Sequence, residues 1–377
     1  MSSKIILSLS IFFFSLSTFS YRAAALAFIF IALTFFLNQE KRLLSSKKFS
    51  AACIAATAFV LIASVSHSVH MLYVVKFTAM IFYCWILYSL VKTGVLKASD
   101  LCASAKVFIY IHSLFFSFQL VYYMAVGDFI DFNNIVREEE SRVLWASQAL
   151  HGFIIPIRAT GLFSEPSFYS LTVLPIALIL AVHEKTISPA VVLGFTTCIL
   201  SLSIAALIIS AISGILVILR SKNSKLLKLS IVGVVIAISP SLYGIYEARI
   251  LRSADYDAVA SRVLVFEEFR QRGIVKNIFG SGFLWNEDNP IGVTGLKGFH
   301  TRDSSFFVNI FFSAGVFGLV IVAFSLFFAF RKNLIYLAAV LLAFLFKLSI
   351  LHAMLWLVLL MAYTLSKEGR SISASGR

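Results

Sequence analysis

Residues 187–219 read ISPAVVLGFTTCILSLSIAALIISAISGILVIL, thirty-three residues without one Asp, Glu, Lys or Arg. A helix crosses the hydrocarbon of a bilayer in about 20 apolar residues, within a range of roughly 17–25. The stretch is therefore too long for one crossing. Ser201 and Ser203 suggest a tight turn in its middle, and we read two helices, at 187–201 and 203–219. Working outward, comparable apolar runs occupy 4–20, 23–37, 49–66, 71–91, 106–126 and 167–183 on one side, and 228–245 and 304–330 on the other. Residues 333–366 again look like two helices, broken near Lys347–His352. This pattern predicts an all-α, polytopic membrane protein of about twelve transmembrane helices, forming a single integral-membrane domain over 1–377.

Composition agrees. Of 377 residues, 60% are apolar and 13% charged, whereas soluble domains carry about 25% charged residues. The mean hydropathy is +0.93. A soluble enzyme and a nucleic-acid binder are both excluded, although the net charge of +14 would otherwise suggest nucleic acid. Cys53, Cys84, Cys102 and Cys198 lie in or beside apolar runs at irregular spacings. They fit neither a disulfide framework nor a zinc site and read as small apolar residues.

Charge orients the chain. With the N-terminus inside, every short inner loop carries a Lys or Arg, among them Lys41, Arg42, Lys92, Lys185, Lys222 and Arg331, as the positive-inside rule asks. Both termini are then cytoplasmic. The two sides also differ in kind. Thirteen lysines and five arginines fall inside; ten arginines and four lysines fall outside or near the outer face. The outer arginines are Arg22, Arg137, Arg142, Arg158, Arg249, Arg252, Arg262, Arg270, Arg272 and Arg302. Arginine suits bidentate recognition of phosphate or carboxylate. Loop ion pairs with Glu138–Glu140, Glu267, Glu268 or Asp255 are the plainer use. The first helix reads as uncleaved, paired with the second through a two-residue turn at Tyr21–Arg22.

Two outer loops are long, 127–166 and 246–303, and long loops on a membrane scaffold usually carry function. Three clusters stand out in and beside them. The first is Arg158-Ala-Thr-Gly161-Leu-Phe-Ser-Glu165-Pro166, leading into the helix at 167–183. Charges at the membrane boundary are costly and usually functional. Gly161 permits an unusual backbone angle or a close approach, and Pro166 fits a first helical turn. Glu165 reads equally as a base or as a helix cap. The second cluster is Ser261-Arg262-Val-Leu-Val-Phe266-Glu-Glu-Phe269-Arg270-Gln-Arg272, followed by Gly280-Ser-Gly282. Arg262, Phe266 and Phe269 share one face at helical spacing, which describes an amphipathic helix at the membrane surface. Gly280 and Gly282 read as a loop that comes close to something. The third cluster is His300-Thr-Arg302-Asp303, just before the helix at 304–330, where His300 is placed either as a general base or as a structural hydrogen-bonder. Gly315 and Gly318 within that helix read as close-packing positions. Lys347 and His352, at the outer turn of the last helix pair, belong near the same region. No group has metal-ligand spacing. No matched pair of broken helices marks the chain as a secondary transporter.

The three clusters, in this order on this topology, resemble the O-antigen polymerase (Wzy-type) and O-antigen ligase superfamily. The likeness rests on Arg158 through Pro166, on Arg262 with Gly280-Ser-Gly282, and on His300 followed by Gly315 and Gly318. It implies a glycosyltransferase of the bacterial inner membrane that takes an undecaprenyl-pyrophosphate-linked oligosaccharide as donor on the periplasmic face, without a metal ion, a nucleotide sugar or another cofactor. A polymerase moves the chain onto a new lipid-linked repeat unit and works beside a flippase and a chain-length regulator; a ligase moves the finished chain onto lipid A-core. On this resemblance Arg158 and Arg262 bind pyrophosphate, His300 or Glu165 handles the acceptor proton, Arg270 and Arg302 guide acidic groups, and Gly161, Gly280 and Gly282 shape the substrate site. The polymerase is the first expectation. The ligase comes next, and a lipid-linked-oligosaccharide flippase is the third reading.

Overall fold

A computed structural model describes residues 3–37, 47–65, 69–138, 157–220, 258–286, 292–295, 301 and 303–374. The regular elements among them are helices. The N-terminal series is α1 (Ser3–Leu16), α2 (Tyr21–Phe36), α3 (Lys47–Ala63), α4 (Met71–Lys92) and α5 (Ala98–Val126). The short α6 (Asn133–Val136) precedes α7 (Pro166–Glu184), α8 (Pro189–Leu200) and α9 (Ile204–Arg220). The C-terminal series is α10 (Ala258–Gln271), α11 (Ile274–Phe279), α12 (Phe306–Phe330), α13 (Leu334–Ala343) and α14 (Ala353–Ala374). Each apolar run read from the sequence coincides with a helix, apart from 228–245, which lies outside the described residues.

Four of these helices are long and apolar enough to cross a membrane: α4, α5, α7 and α12, the last with a mean hydropathy of 2.5 over its best window. The others that are apolar are shorter, α13 having only 10 residues. The chain divides into two compact units, 1–108 with 259–377, and 109–258, the boundary falling within α5.

Local chemistry explains the breaks. The α8–α9 turn falls at Ser201–Ser203, where Leu202 takes a left-handed φ of 54° and Ser201 returns its hydroxyl to the Cys198 carbonyl at 2.7 Å. The α1–α2 turn lies at 17–20 and not at Tyr21–Arg22. Ser20 is the N-cap of α2 and its Oγ accepts from the Ala23 amide at 3.1 Å, so Tyr21 and Arg22 already belong to the helix. Residues 344–352 form the irregular segment between α13 and α14 that the sequence placed near Lys347–His352.

In the smaller unit, α7 packs on both α8 and α9, and 83% of its most apolar window is buried, against 39% for α12. Such a helix is walled in by protein, which accounts for its hydroxyls. Tyr169 donates to Thr197 at 2.7 Å, and Ser170 meets Ser201 at 2.8 Å. In the larger unit, α1 packs along α2, α4 on α14, and α13 on both α12 and α14.

Candidate functional site

The first cluster lies in the 109–258 unit, on the loop entering α7. Arg158 is buried, with 7% of its surface exposed, between the fully buried Ile157 and Ala159. The loop is pinned from α5 by Gln119, itself fully buried. Its Oε1 accepts from the amides of Thr160 at 2.7 Å and Gly161 at 3.0 Å, and its Nε2 donates to the Ile130 carbonyl at 2.7 Å. One amide side chain thereby ties both ends of the loop following α5 to that helix. A glutamine in the middle of an apolar run is a visible signal that the sequence reading passed over.

Gly161 has a φ of +58°, and a Cβ there would lie 3.3 Å from the Tyr169 ring and 3.5 Å from the Phe116 amide nitrogen. Both properties expected of it are present, and what it approaches closely is this ring and backbone. Phe163 stacks on the buried His112 at 5.4 Å. Glu165 occupies the N-cap position of α7 with extended backbone angles, and Pro166 is at N1. Its carboxylate makes no cap bond to the helix amides; it accepts from the Ser167 hydroxyl at 2.8 Å. It remains half-exposed, at the helix end where a negative charge is favoured. Upstream, burial raises the Asp131 carboxyl above the ordinary carboxylate range, against the opposing pull of the Asn133 and Asn134 amides and Arg137.

The second and third clusters lie in the other unit. The buried face of α10 is Val265 and Glu268 with Phe269 beside them, continued by the buried Arg272 just past its end, while Phe266 is 60% exposed. Phe266 is thus on the outer side of the helix while Phe269 packs inward, so the two do not act as one face. Val265, Trp285 and Phe312 form a small core, with Phe269 and Val308 against it. The exposed side of α10 and α11 carries Val263, Leu264, Phe266, Ile274, Val275 and Phe279, an apolar surface suited to the bilayer interface. Arg270 is exposed. The side chain of Arg262, and the whole of His300 and Arg302, lie outside the described residues.

Arg272 has a role the sequence did not assign. Helix α12 is interrupted at Gly315, whose φ of 63° and ψ of −161° are not helical. An interruption leaves the carbonyls of the preceding turn without intrahelical donors. Here they are taken up from outside the helix. Arg272 Nη2 donates to the Phe311 carbonyl at 3.0 Å and Nη1 to that of Phe312 at 3.1 Å. The Ser281 amide donates to Phe312 O and the Gly282 amide to Ser313 O, both at 2.8 Å. The guanidinium rests against the edge-to-face pair of Phe269 and Phe311, 4.7 and 4.8 Å from their ring centres, and its Nε bonds Asn277. Burial pushes its pKa down to about 10, with Glu268 pulling the other way. It remains a cation at neutral pH, committed to a helix end. Replacing it with methionine takes the Arg272 donor from the Phe311 carbonyl, at roughly 1–3 kcal/mol, and one of two donors from Phe312, which keeps the Ser281 amide. The expected result is a clear drop in the unfolding midpoint of the detergent-purified protein, with Arg272→Lys in between because one ammonium cannot fork across two carbonyls. A midpoint equal to wild type in Arg272→Met would remove this role.

The glycines serve the same contact. A Cβ on Gly280 would lie 2.3 Å from Ala314 N and Ser313 O. The close approach read from Gly280-Ser-Gly282 is to the backbone of α12. Gly315 mirrors it, 2.3 Å from Ile278 O. Glu268, fully buried, holds a further loop by accepting from the Val293 and Thr294 amides at 3.1 and 2.9 Å. Near the start of α12, Asp303 pairs with Lys347 at 3.4 Å, which brings the 344–352 segment to the third cluster as expected. His352 Nδ1 accepts from the Ser349 amide at 3.1 Å.

No family model matches this chain, and no curated protein sequence is significantly similar to it.

Proposed function

We propose that this protein is an integral-membrane glycosyltransferase that polymerises undecaprenyl-pyrophosphate-linked repeat units into O-antigen or a related surface polysaccharide, on the periplasmic face of the bacterial inner membrane. The observation that carries the reading is Arg158, a buried arginine on the loop that enters α7, in a chain whose arginines are concentrated in the outer loops. A guanidinium held away from water is a strong partner for a phosphate, and the resemblance of 158–166 to the polymerase and ligase superfamily supplies the phosphate's identity.

The chemistry asks for three things. The bond between the anomeric carbon and the pyrophosphate oxygen breaks, and the charge that gathers on the leaving pyrophosphate needs cations; Arg158 and Arg262 take this part. The acceptor hydroxyl attacks the anomeric carbon and gives up a proton, which His300 accepts, with Glu165 as the alternative base. The lipid-anchored donor requires a site at membrane depth, where the long loops meet the helices. Arg270 and Arg302 guide acidic sugars, and Gly161 holds the Arg158 loop in shape.

The test is the polysaccharide ladder of a strain lacking the gene, with and without the gene returned. A single repeat unit on core, with the ladder restored on complementation, is the expected result. Long chains retained on the carrier lipid and absent from core would identify a ligase instead. An unchanged ladder would overturn both.

A further inference from the structure

The larger unit contains an apolar cavity of about 570 Å³ bounded by α3, α4, α12 and α14. Its lining on α12 runs from Phe306 to Phe330, roughly 36 Å of helix at 1.5 Å per residue, enough to cross a hydrocarbon core of about 30 Å. On α3 it is faced by small side chains, Ala52, Ala55 and Ala56. The lining is almost wholly apolar, and a flexible hydrocarbon chain can follow such a cavity.

One end of the cavity identifies the rest of the ligand. There Phe49, Phe330 and Tyr363 all line it. Phe49 stacks on Tyr88 at 4.0 Å and on Tyr363 at 6.5 Å, and Phe330 meets Tyr363 at 6.5 Å. This aromatic cluster gathers the start of α3, the end of α12 and the middle of α14. Each brings exposed cations: Lys47 two residues before Phe49, Arg331 and Lys332 directly after Phe330, and Lys367 one turn beyond Tyr363. Lys367 lies over the Tyr363 ring at 4.0 Å. Glu368 is the acidic neighbour, half-buried. We infer that the cavity holds an acyl chain of an anionic phospholipid, its phosphate gripped by the collar of Lys47, Arg331, Lys332 and Lys367. Basic pockets between membrane helices bind anionic headgroups in this way. The assignment does not depend on the glycosyltransferase reading, because no residue of that reading lines the cavity.

The test uses the full chain in phosphatidylcholine nanodiscs with chain-spin-labelled phosphatidylglycerol or phosphatidylcholine as probe, reading the immobilised fraction. Wild type should hold phosphatidylglycerol at least on the order of fivefold more tightly than phosphatidylcholine, a factor that corresponds to one surface cation. The combined Lys47→Gln, Arg331→Gln, Lys332→Gln and Lys367→Gln variant should lose that preference while still immobilising both lipids weakly. Ala56→Phe, which fills the cavity without touching a charge, should reduce immobilisation of both. Equal retention of the two lipids by wild type, or wild-type immobilisation in Ala56→Phe, would overturn the inference.

Discussion

Arg158→Ala should abolish long-chain polysaccharide while the protein still accumulates in the membrane. The expected loss in polymerisation rate is about 10²–10³-fold, the scale on which a single transition-state charge partner acts. Arg158 sits on a loop whose conformation is held by others. The Gln119 bonds to Thr160 and Gly161 and the packing of Gly161 on Tyr169 do not involve the Arg158 side chain, so the loop has its own support when the guanidinium is removed. Arg158→Lys separates charge from geometry. Lysine keeps the cation but offers a point charge in place of a planar fork, and partial polymer, shifted to shorter chains, is the outcome that fits a bidentate phosphate contact. A wild-type ladder in Arg158→Ala would show that the buried arginine serves architecture alone.

Gly315→Ala should prevent stable folding of the larger unit. Its φ of 63° with ψ of −161° lies in a region that glycine occupies almost alone. A Cβ at this point would also stand 2.3 Å from the Ile278 carbonyl oxygen, a backbone atom that cannot swing aside. Strain of about 1–3 kcal/mol adds to the cost of driving α11 away from α12. That displacement would also break the Ser281 and Gly282 bonds to the freed carbonyls and misalign Arg272. The combined effect exceeds the roughly 4–5 kcal/mol that marks an exceptional single substitution. Membrane yield and the detergent unfolding midpoint read it directly. Gly318→Ala separates the two effects, because Gly318 shows no positive φ while a Cβ there would still stand 2.3 Å from the Ala314 Cβ, which is fixed to its backbone: it carries the clash without the backbone strain.

The helices were legible because apolar length is a strong signal: 187–219 had to fold as two helices, and Ser201 to Ser203 marked where. The interruption of α12 was not legible. Gly315 sits in an unbroken apolar run, and nothing local shows that the chain between Arg272 and Gly282 would supply the missing donors. Arg272 and Gly280 were visible as residues with something to do, but their partner is a backbone segment roughly 33–40 residues away in sequence, and only the fold brings it there. The helical spacing of α10 grouped Phe266 with Phe269 on one membrane-facing side, but only Phe266 is on the exposed side. Tertiary packing chose Val265, Glu268 and Arg272, since a buried carboxylate with three donors and a guanidinium with helix carbonyls are both satisfied there. At the first cluster, the N-cap position of Glu165 and the special backbone of Gly161 followed from Pro166 and glycine chemistry. The pinning role of Gln119 required knowing that α5 runs beside the loop.

The shortness of α1 and α2 has a consequence for the surrounding lipid. At 14 and 16 residues these helices are roughly 21 and 24 Å long, while an unperturbed hydrocarbon core measures about 30 Å. Leu26, Ile29, Leu33 and Phe36 of α2 are exposed, so acyl chains around a pair that crosses the bilayer would meet it directly and have to shorten to match it. A pair of this length spanning the bilayer would set a dimple in membrane thickness on that flank, at a cost of fractions of a kcal/mol per ångström of mismatch. Long-chain, sterically extended lipids would be depleted there and shorter or more disordered ones enriched, so that this flank sorts its own lipid neighbours by chain length.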